Sequence, residues 1–280
     1  MPIAQVNAFS IDNASTTEID DALSVTELSN GDETGYRIGI HIAAPGLVIT
    51  KDDALDQVAR NRMSTVYFPG DKITMLPDSV IERFSLDEGG PRPALSIYVD
   101  IDADGNVQRE SLQMRAELVS IAANLRLENI EHLVSEESLA SVDMHYPFQK
   151  ELAVLWRAAK HLHAGRQKKR VANGLRGEQL GVSDPNALAR DFYFQIQEAN
   201  QQDSKAQRVE IVPRQRGSIL DTIVAEWMIF CDSASGQLLA EYGLPGLFRT
   251  QKGWGPLRTR MQTTPGPHEG LGLNYYAWCT

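Results

Sequence analysis

The sequence predicts an α+β fold, with strands concentrated in the first half of the chain and long helices in the second. Three patterns predict this arrangement. Apolar residues alternate over 36–42, which is the period of a strand. The segment 94–108, ALSIYVDIDADGNVQ, is typical of two strands joined by a tight turn at Asp104-Gly105. An apolar stripe with helical spacing begins near Phe148.

The other elements are predicted from the same two periods. Residues 52–62 predict a short helix, and the apolar spacing predicts another helix from Arg115 to about Val134. The helix from Phe148 ends before Gly174, and short strands are expected at 192–196 and 209–212. Its apolar stripe consists of Leu152, Leu155, Trp156, Ala159 and Leu162.

The last predicted helix begins at Ser218 and runs to about Tyr242. Ser218 and Asp221 have the spacing of a capping box, in which the side chain of each residue accepts a hydrogen bond from the backbone amide of the other. Gly243 follows as the expected stop, because glycine readily adopts the left-handed conformation at helix ends.

Charge is distributed unevenly along the 280 residues. The chain has 27 Lys and Arg against 37 Asp and Glu, a net charge of −10. Residues 157–177 hold seven basic residues and no acid, and residues 242–268 hold four and no acid. An acidic body with two basic stretches is compatible with a polyanionic substrate bound in one groove. Alternatively, the first stretch is the solvated face of a helix and the second is a surface loop.

The composition argues against secreted and membrane proteins. Cys231 and Cys279 form neither a disulfide framework nor a CxxC metal pattern. The N-terminus lacks the basic and apolar regions of a signal peptide, and the most apolar stretch, 219–231, is short and interrupted by Asp221 and Glu226. We therefore expect a cytoplasmic protein with no membrane association.

Four carboxylates lie within ten residues, at Asp12, Glu18, Asp20 and Asp21. Asp20 and Asp21 would point to opposite faces of a strand, so their convergence requires a loop or a bulge. Converging carboxylates raise one another's pKa unless a cation neutralises them. Oxygen ligands of this kind suit Mg²⁺ or Mn²⁺. A solvated acidic loop is the alternative.

Two further polar residues lie in apolar surroundings. Glu226 shares a helix face with Ile223 and Phe230, and a carboxylate on a buried face needs a partner or a catalytic task. An ion pair with one of the arginines and a functional role both remain open. His41 lies within the alternating strand and is expected to be structural.

The acidic segment AFSIDNASTTEIDDALSV resembles the signature of the ribonuclease II catalytic (RNB) domain. Five more blocks resemble that family in the same order along the chain, which makes coincidence an inadequate explanation. They are HIAAPG, STVYFPGDKITMLP, RFSLDEGGPRPALSIYVDID, IVPRQRGSILDTIVAEWMI and TPGPHEGLGLNYYAWCT. The resemblance implies a mixed or antiparallel sheet packed with helices around an RNA channel.

It also implies a magnesium-dependent exoribonuclease that degrades single-stranded RNA from the 3′ end to nucleoside 5′-monophosphates by a two-metal mechanism. Asp12, Asp20 and Asp21 are the implied metal ligands, and Glu18 takes the remaining catalytic acidic position. Tyr67 is the implied stacking partner of the 3′-terminal base. Glu226, Arg214 and Arg216 are the implied RNA contacts. The protein is expected to be a monomer without a nucleotide cofactor.

Three departures from the family pattern affect these expectations. Many relatives have Asp where this chain has Glu18, and Ala44 stands where Asp usually follows His-Ile-Ala. Cys231-Asp232 replaces a small residue and Asn. The family continues beyond Tyr-Ala-x-x-Thr into Ser-Pro-x-Arg, whose arginine contacts the reacting phosphate, whereas this sequence stops at Thr280.

The expectation is therefore one RNB catalytic domain over 1–280, incomplete at its C-terminal end and without the flanking cold-shock and OB-type domains, with weak or absent turnover. A non-catalytic domain that binds single-stranded RNA is the first alternative. A metal-dependent phosphatase unrelated to RNA is the second, although it leaves Tyr67 and the basic stretches unexplained.

Overall fold

The computed structural model describes residues 1–30, 33–173, 190–197, 208–215 and 217–246. Its strands are β1 (Ala8–Asp12), β2 (Asp21–Asn30), β3 (Glu33–Ala43), β4 (Val66–Phe68), β5 (Asp71–Ile73), β6 (Pro91–Ile101), β7 (Val107–Arg126), β8 (Arg190–Gln197) and β9 (Arg208–Gln215). Its helices are α1 (Ala54–Arg62), α2 (Asp78–Phe84), α3 (Leu127–Ile130), α4 (Glu136–Ala140), α5 (Gln149–Ala172) and α6 (Ile219–Glu241), with 3₁₀ turns at Pro45–Leu47 and Glu131–Leu133. The predicted α+β class is confirmed.

Five strands close into a barrel in the order β1-β2-β3-β6-β7. All neighbours are antiparallel except β1 and β7, whose parallel pairing closes the ring. The hairpins β4–β5 and β8–β9 each form a separate two-stranded sheet. Since β1 and β2 run in opposite directions, the end of β1 and the start of β2 lie at the same end of the barrel.

Both faces of the barrel wall are buried in its central part. Phe9, Leu23, Ile40 and Ile97 are almost inaccessible to solvent. A cluster of mostly small residues is also buried and includes the loop residue Ile19; its buried members are Ala4, Ala8, Ile19, Ala22, Leu86, Ala94, Val119 and Ile121. Burying a large apolar side chain contributes about 1.5–3 kcal/mol, so Ile19 fixes the loop that precedes β2 to the core.

The helix predicted from Arg115 to about Val134 is wrong. β7 continues to Arg126, and α3 is a helix of only four residues. The strand pairs first with β6 and then, over Ile121 to Arg126, with β1. Val119, Ile121 and Leu125 are buried at the spacing of a strand. The apolar spacing of this segment also fits a helix, but pairing with two neighbouring strands makes it a strand.

The two long helices follow the sequence closely. α5 buries Leu152, Leu155, Trp156 and Ala159, as the apolar stripe predicts. At the start of α6 the Ser218 hydroxyl accepts a hydrogen bond from the Asp221 amide, 3.1 Å away. The Asp221 carboxylate accepts from the Gly217 amide instead of that of Ser218, so the predicted cap forms in a shifted version.

His41 has the structural role that was predicted for it. Its ring lies between two hydroxyl groups, with Nε2 2.9 Å from Ser24 Oγ and Nδ1 2.8 Å from Ser96 Oγ, and all three residues are buried. Burial lowers the pKa of His41 to about 3. The ring is therefore neutral at physiological pH and acts as a hydrogen-bonded part of the barrel wall.

The chain divides into two compact units, Met1–Asp232 and Ser233–Thr280. The barrel, both hairpins and the acidic residues belong to the first. In the described part of the second, α6 ends at Glu241 and Gly243 adopts a φ of 62°, as expected of a helix stop. No helix among the described residues is long and apolar enough to cross a membrane. One catalytic domain over 1–280 stays a prediction.

Candidate active site

The acidic residues lie at one end of the barrel, in the connection between β1 and β2. Asp12 is the last residue of β1, and Asp21 is the first of β2, with Glu18 and Asp20 in the intervening loop. This is the loop that the sequence requires for the carboxylates to converge. The strand pairing places Asp12 beside Arg126 of β7 and Asp21 beside Ile42 of β3.

Backbone contacts hold the loop in place on several sides. The Ile19 amide donates to Ser85 Oγ at 3.0 Å, and the Ile19 carbonyl accepts from the Leu86 amide at 2.9 Å. On the opposite side, Arg126 donates to the carbonyls of Asn13 and Thr16 at 3.1 and 3.3 Å. The acidic side chains are thus presented by a fixed backbone, which limits the conformational entropy lost when a ligand binds.

A small cavity of about 100 Å³ adjoins Glu18 and Asp20. Apolar side chains, among them Leu76, Val80 and Phe84, form most of its wall. The carboxylates therefore lie beside low-dielectric surroundings, where their charged forms are poorly solvated.

Burial raises the pKa of three of the carboxyl groups. It raises that of Asp21 to about 6, with the charges of Asp12 and Asp20 adding to the effect. For Asp20, burial comes first and the charges of Glu18 and Asp12 follow, while Lys72 lowers the pKa. The pKa of Asp12 is raised by burial, and a hydrogen bond from Ser10 and the charge of Arg126 oppose that rise. The acidic residues consequently act on one another through their charges.

The site offers oxygen ligands that the protein itself leaves uncompensated. Asp12 Oδ2 is buried and has no hydrogen-bond partner among the described residues. Within that same part of the chain, no three histidine, cysteine or acidic side chains form a complete metal site. Mg²⁺ does not need one, because it commonly binds one or two protein carboxylates and completes its shell with water and substrate phosphate.

Tyr67 lies on the β4–β5 hairpin and is 72% exposed. The hairpin turns through Pro69 and Gly70, and Gly70 has the positive φ of 81° that the third position of a type II turn requires. Lys72 stands directly opposite Tyr67 in the register. An exposed aromatic ring is suited to stacking on a nucleic-acid base, and that role stays a prediction.

Glu226 does not stand free. It is 3% exposed, and its Oε1 lies 2.8 Å from His163 Nδ1 and also accepts a hydrogen bond from Arg166. Both partners belong to α5. The structure thus shows the ion pair with an arginine that the sequence left open, and a contact between Glu226 and RNA stays a prediction.

The basic stretch on α5 is partly engaged within the protein. Arg157 donates to the Ala103 carbonyl, Lys160 pairs with Glu136, and Arg166 pairs with Glu226. Lys168 and Lys169 are exposed. Arg216 and the four basic residues of the second stretch lie outside the described residues, as does the side chain of Arg214, so their predicted contacts with RNA stay predictions.

Lys72 and Asp87 are among the charged residues near the acidic loop that the sequence does not single out. Lys72 Nζ lies 2.9 Å from Glu18 Oε1, and the charge of Asp87 raises the pKa of Asp12. The alternating residues of β4 and β5 favour a hairpin in which Lys72 lies opposite Tyr67. No spacing rule connects either residue with the acidic loop.

The sequence matches the RNB domain family over residues 2–257. It is 30% identical over 254 residues to an exoribonuclease 2 from Glaesserella parasuis, covering 87% of this chain and 34% of that protein. It is 27% identical over 243 residues to a ribonuclease R from Thermotoga maritima, covering 86% and 31%. The chain spans about a third of the length of these curated relatives.

Solved structures show the same fold. The RNase R of Mycoplasma genitalium, solved with ribose-methylated single-stranded RNA, superposes with a TM-score of 0.65 at 13% identity over 86% of this chain and 34% of that one. The Dss1 exoribonuclease of Candida glabrata gives 0.65 at 21% identity over 88% and 31%. At this level of identity the likeness concerns the fold alone.

Proposed function

The chain belongs to the RNB domain family, and on this basis we propose that it is a 3′-to-5′ exoribonuclease that hydrolyses single-stranded RNA to nucleoside 5′-monophosphates. The observation that supports the proposal most directly is the arrangement of Asp12, Asp20 and Asp21 at one end of the barrel. Burial raises the pKa of all three, and the charge of Asp12 adds to the rise at Asp20 and Asp21, so a cation would stabilise their charged forms.

We propose Asp12, Asp20 and Asp21 as the residues that hold Mg²⁺ or Mn²⁺. The buried Oδ2 of Asp12, which accepts no hydrogen bond from the described residues, and the all-oxygen donor set fit these ions. The ions, two in the mechanism that the family resemblance implies, would supply an activated water and neutralise the charge that develops on the phosphate.

The protein's own groups then have separate tasks. Asp20 and Asp21 would hold the cation against which the reacting phosphate is placed. Tyr67 receives the 3′-terminal base on its exposed ring, which accepts any base because every base has a π-face. The exposed Lys168 and Lys169 are available to attract the phosphate backbone.

The test uses single-stranded RNA labelled at its 5′ end, incubated with the protein in Mg²⁺ or in EDTA and resolved on a sequencing gel. We expect a metal-dependent ladder that shortens slowly from the 3′ end, in keeping with the weak turnover that the sequence predicts. Asp20→Asn should lower the rate by about 10²-fold or more while leaving RNA binding largely intact. Asp104→Asn, in the exposed β6–β7 turn, is the matched control and should cleave like the wild type. Internal cuts, or a ladder that persists in EDTA, would contradict the proposal.

A non-catalytic domain that binds single-stranded RNA is the second candidate. It is favoured by the exposed Tyr67 ring and the exposed Lys168 and Lys169, which can bind RNA without a metal. Intact RNA in both lanes, together with RNA binding that Tyr67→Ala weakens, would support this candidate. RNA binding that is indifferent to Tyr67→Ala would favour a phosphatase unrelated to RNA.

A further inference from the structure

The β4–β5 hairpin does not owe its position to burial of its own side chains. Each strand has three residues, and Val66, Tyr67, Phe68 and Ile73 are all exposed. An isolated two-stranded hairpin is at best marginally stable in water. Contacts with the rest of the protein must therefore fix its position over the barrel end.

Lys72 provides such a contact with the acidic loop. Its Nζ lies 2.9 Å from Glu18 Oε1, and the two side chains are only 21% and 15% exposed. Glu18 Oε1 is buried and accepts no hydrogen bond of good geometry from any residue that the structure describes, so the contact with Lys72 is electrostatic. An ion pair that is largely withdrawn from water is screened less by salt than one on the surface.

The same lysine also contacts the exposed aromatic ring. Lys72 is the register partner of Tyr67, and its ammonium group lies 5.9 Å from the centroid of that ring. A cation at this distance from a tyrosine face is attracted to the ring. Glu18, Lys72 and Tyr67 thus form a continuous series of contacts from the acidic loop to the ring.

We propose that the Lys72–Glu18 ion pair is a tether that positions Tyr67 over the acidic loop, with Lys72 as a positioning residue and Glu18 as its anchor. This inference rests on the proposed function, in which Tyr67 receives the 3′-terminal base. It assigns Glu18 a task different from that of Asp12, Asp20 and Asp21, whose oxygens are left to the metal. The charge of Lys72 also opposes the mutual repulsion around Asp20.

The test is equilibrium binding of a 5′-labelled single-stranded oligoribonucleotide to the intact chain in EDTA, so that no cleavage occurs and the 3′ end stays free. Lys72→Met and Glu18→Gln should each weaken binding about five-fold, and the double variant should be no weaker than Lys72→Met alone. The sign of the Glu18→Gln effect is decisive, because removing a negative charge that merely repels RNA would strengthen binding.

Two controls accompany these variants. Lys51→Met removes an exposed positive charge from another loop and should change binding less than two-fold, since roughly one phosphate contact at most is lost. Lys72→Arg keeps the charge and should retain most of the binding. Amide hydrogen exchange of residues 66–73, measured without RNA, should quicken in Lys72→Met and Glu18→Gln alike.

The outcomes separate this inference from the proposed function. If Glu18→Gln binds RNA as well as or better than the wild type, or hairpin exchange is unchanged in Lys72→Met, the tether is refuted. If Tyr67→Ala binds RNA like the wild type, the proposed role of Tyr67 fails, while hydrogen exchange still decides whether the tether exists. A Lys72→Met chain that does not fold leaves the decision to Glu18→Gln.

Discussion

Two regions of the molecule place carboxylates where their charge is poorly solvated, and they compensate that charge in opposite ways. Glu226 is enclosed between α5 and α6 and has an arginine and a histidine as partners. Asp12, Asp20 and Asp21 instead lie close to one another, and one oxygen of Asp12 is buried without a hydrogen bond among the described residues. The first arrangement is complete as it stands, whereas in the second Arg126 and Lys72 oppose only part of a rise in pKa that a bound cation would reverse. That difference separates a structural carboxylate from a candidate ligand.

The largest expected effect on stability is at Glu226. Glu226→Gln should lower the free energy of unfolding by about 3 kcal/mol, because it removes the buried charge that accepts a hydrogen bond from Arg166 and lies beside His163. Urea denaturation followed by circular dichroism measures the change. Asp232→Asn, an exposed position on the same helix, is the control and should stay within about 0.5 kcal/mol.

The same variant also tests the RNA contact implied for Glu226. A variant that keeps its stability but loses RNA binding would show that the carboxylate serves the ligand, and the contrast between the two regions would then disappear.

At Asp21 the expected effect has the opposite sign. Its pKa is about 6 in the folded protein against an ordinary value of 3.8, so the neutral form is the one that folding favours. The resulting stabilisation is fully present below about pH 4 and is lost as the pH rises through 6. At neutral pH this loss amounts to about 3 kcal/mol. Asp21→Asn should therefore be more stable than the wild type at pH 7 in EDTA, and the difference should vanish near pH 4.

Urea denaturation at the two pH values measures this difference, with Asp104→Asn as a control that should show none of it. Saturating Mg²⁺ should then stabilise the wild type and not the variant, because an ion that binds only the folded state adds its binding free energy to folding. If Asp21→Asn is less stable than the wild type in EDTA at pH 7, other groups of the folded protein already stabilise the charge of this carboxylate.

The sequence predicts the local features of both regions and misses the contacts between distant segments. Helical spacing identifies α5 and α6, and the need for a loop before Asp20 and Asp21 follows from strand geometry. His163 and Arg166 are three residues apart and so share a helix face, but only the packing of α6 against α5 brings Glu226 to them.

The misses have one physical cause, which is that a partner distant along the chain decides the outcome. The pairing of β7 with both β6 and β1 overrides an apolar spacing that fits a helix. Lys72 reaches Glu18 only because the hairpin lies over the barrel end, and Asp87 reaches Asp12 through the segment that follows α2. The acidic cluster was visible because its members are neighbours in the sequence.

The smallest expected effect is at Lys160, which lies on the same helix as Arg166 and also pairs with a glutamate. Here the partners, Lys160 and Glu136, are 3.3 Å apart and 42% and 58% exposed. Water solvates both charges whether or not they meet, so Lys160→Met should change the free energy of unfolding by less than about 0.5 kcal/mol, and by still less at high salt. Methionine keeps an unbranched stem next to Trp156, over which the lysine lies. Denaturation at low and high ionic strength measures the effect beside Glu226→Gln. A loss of about 2 kcal/mol or more at Lys160 would mean that burial is not what distinguishes the pair at Glu226, because an exposed pair on the same helix would then matter equally.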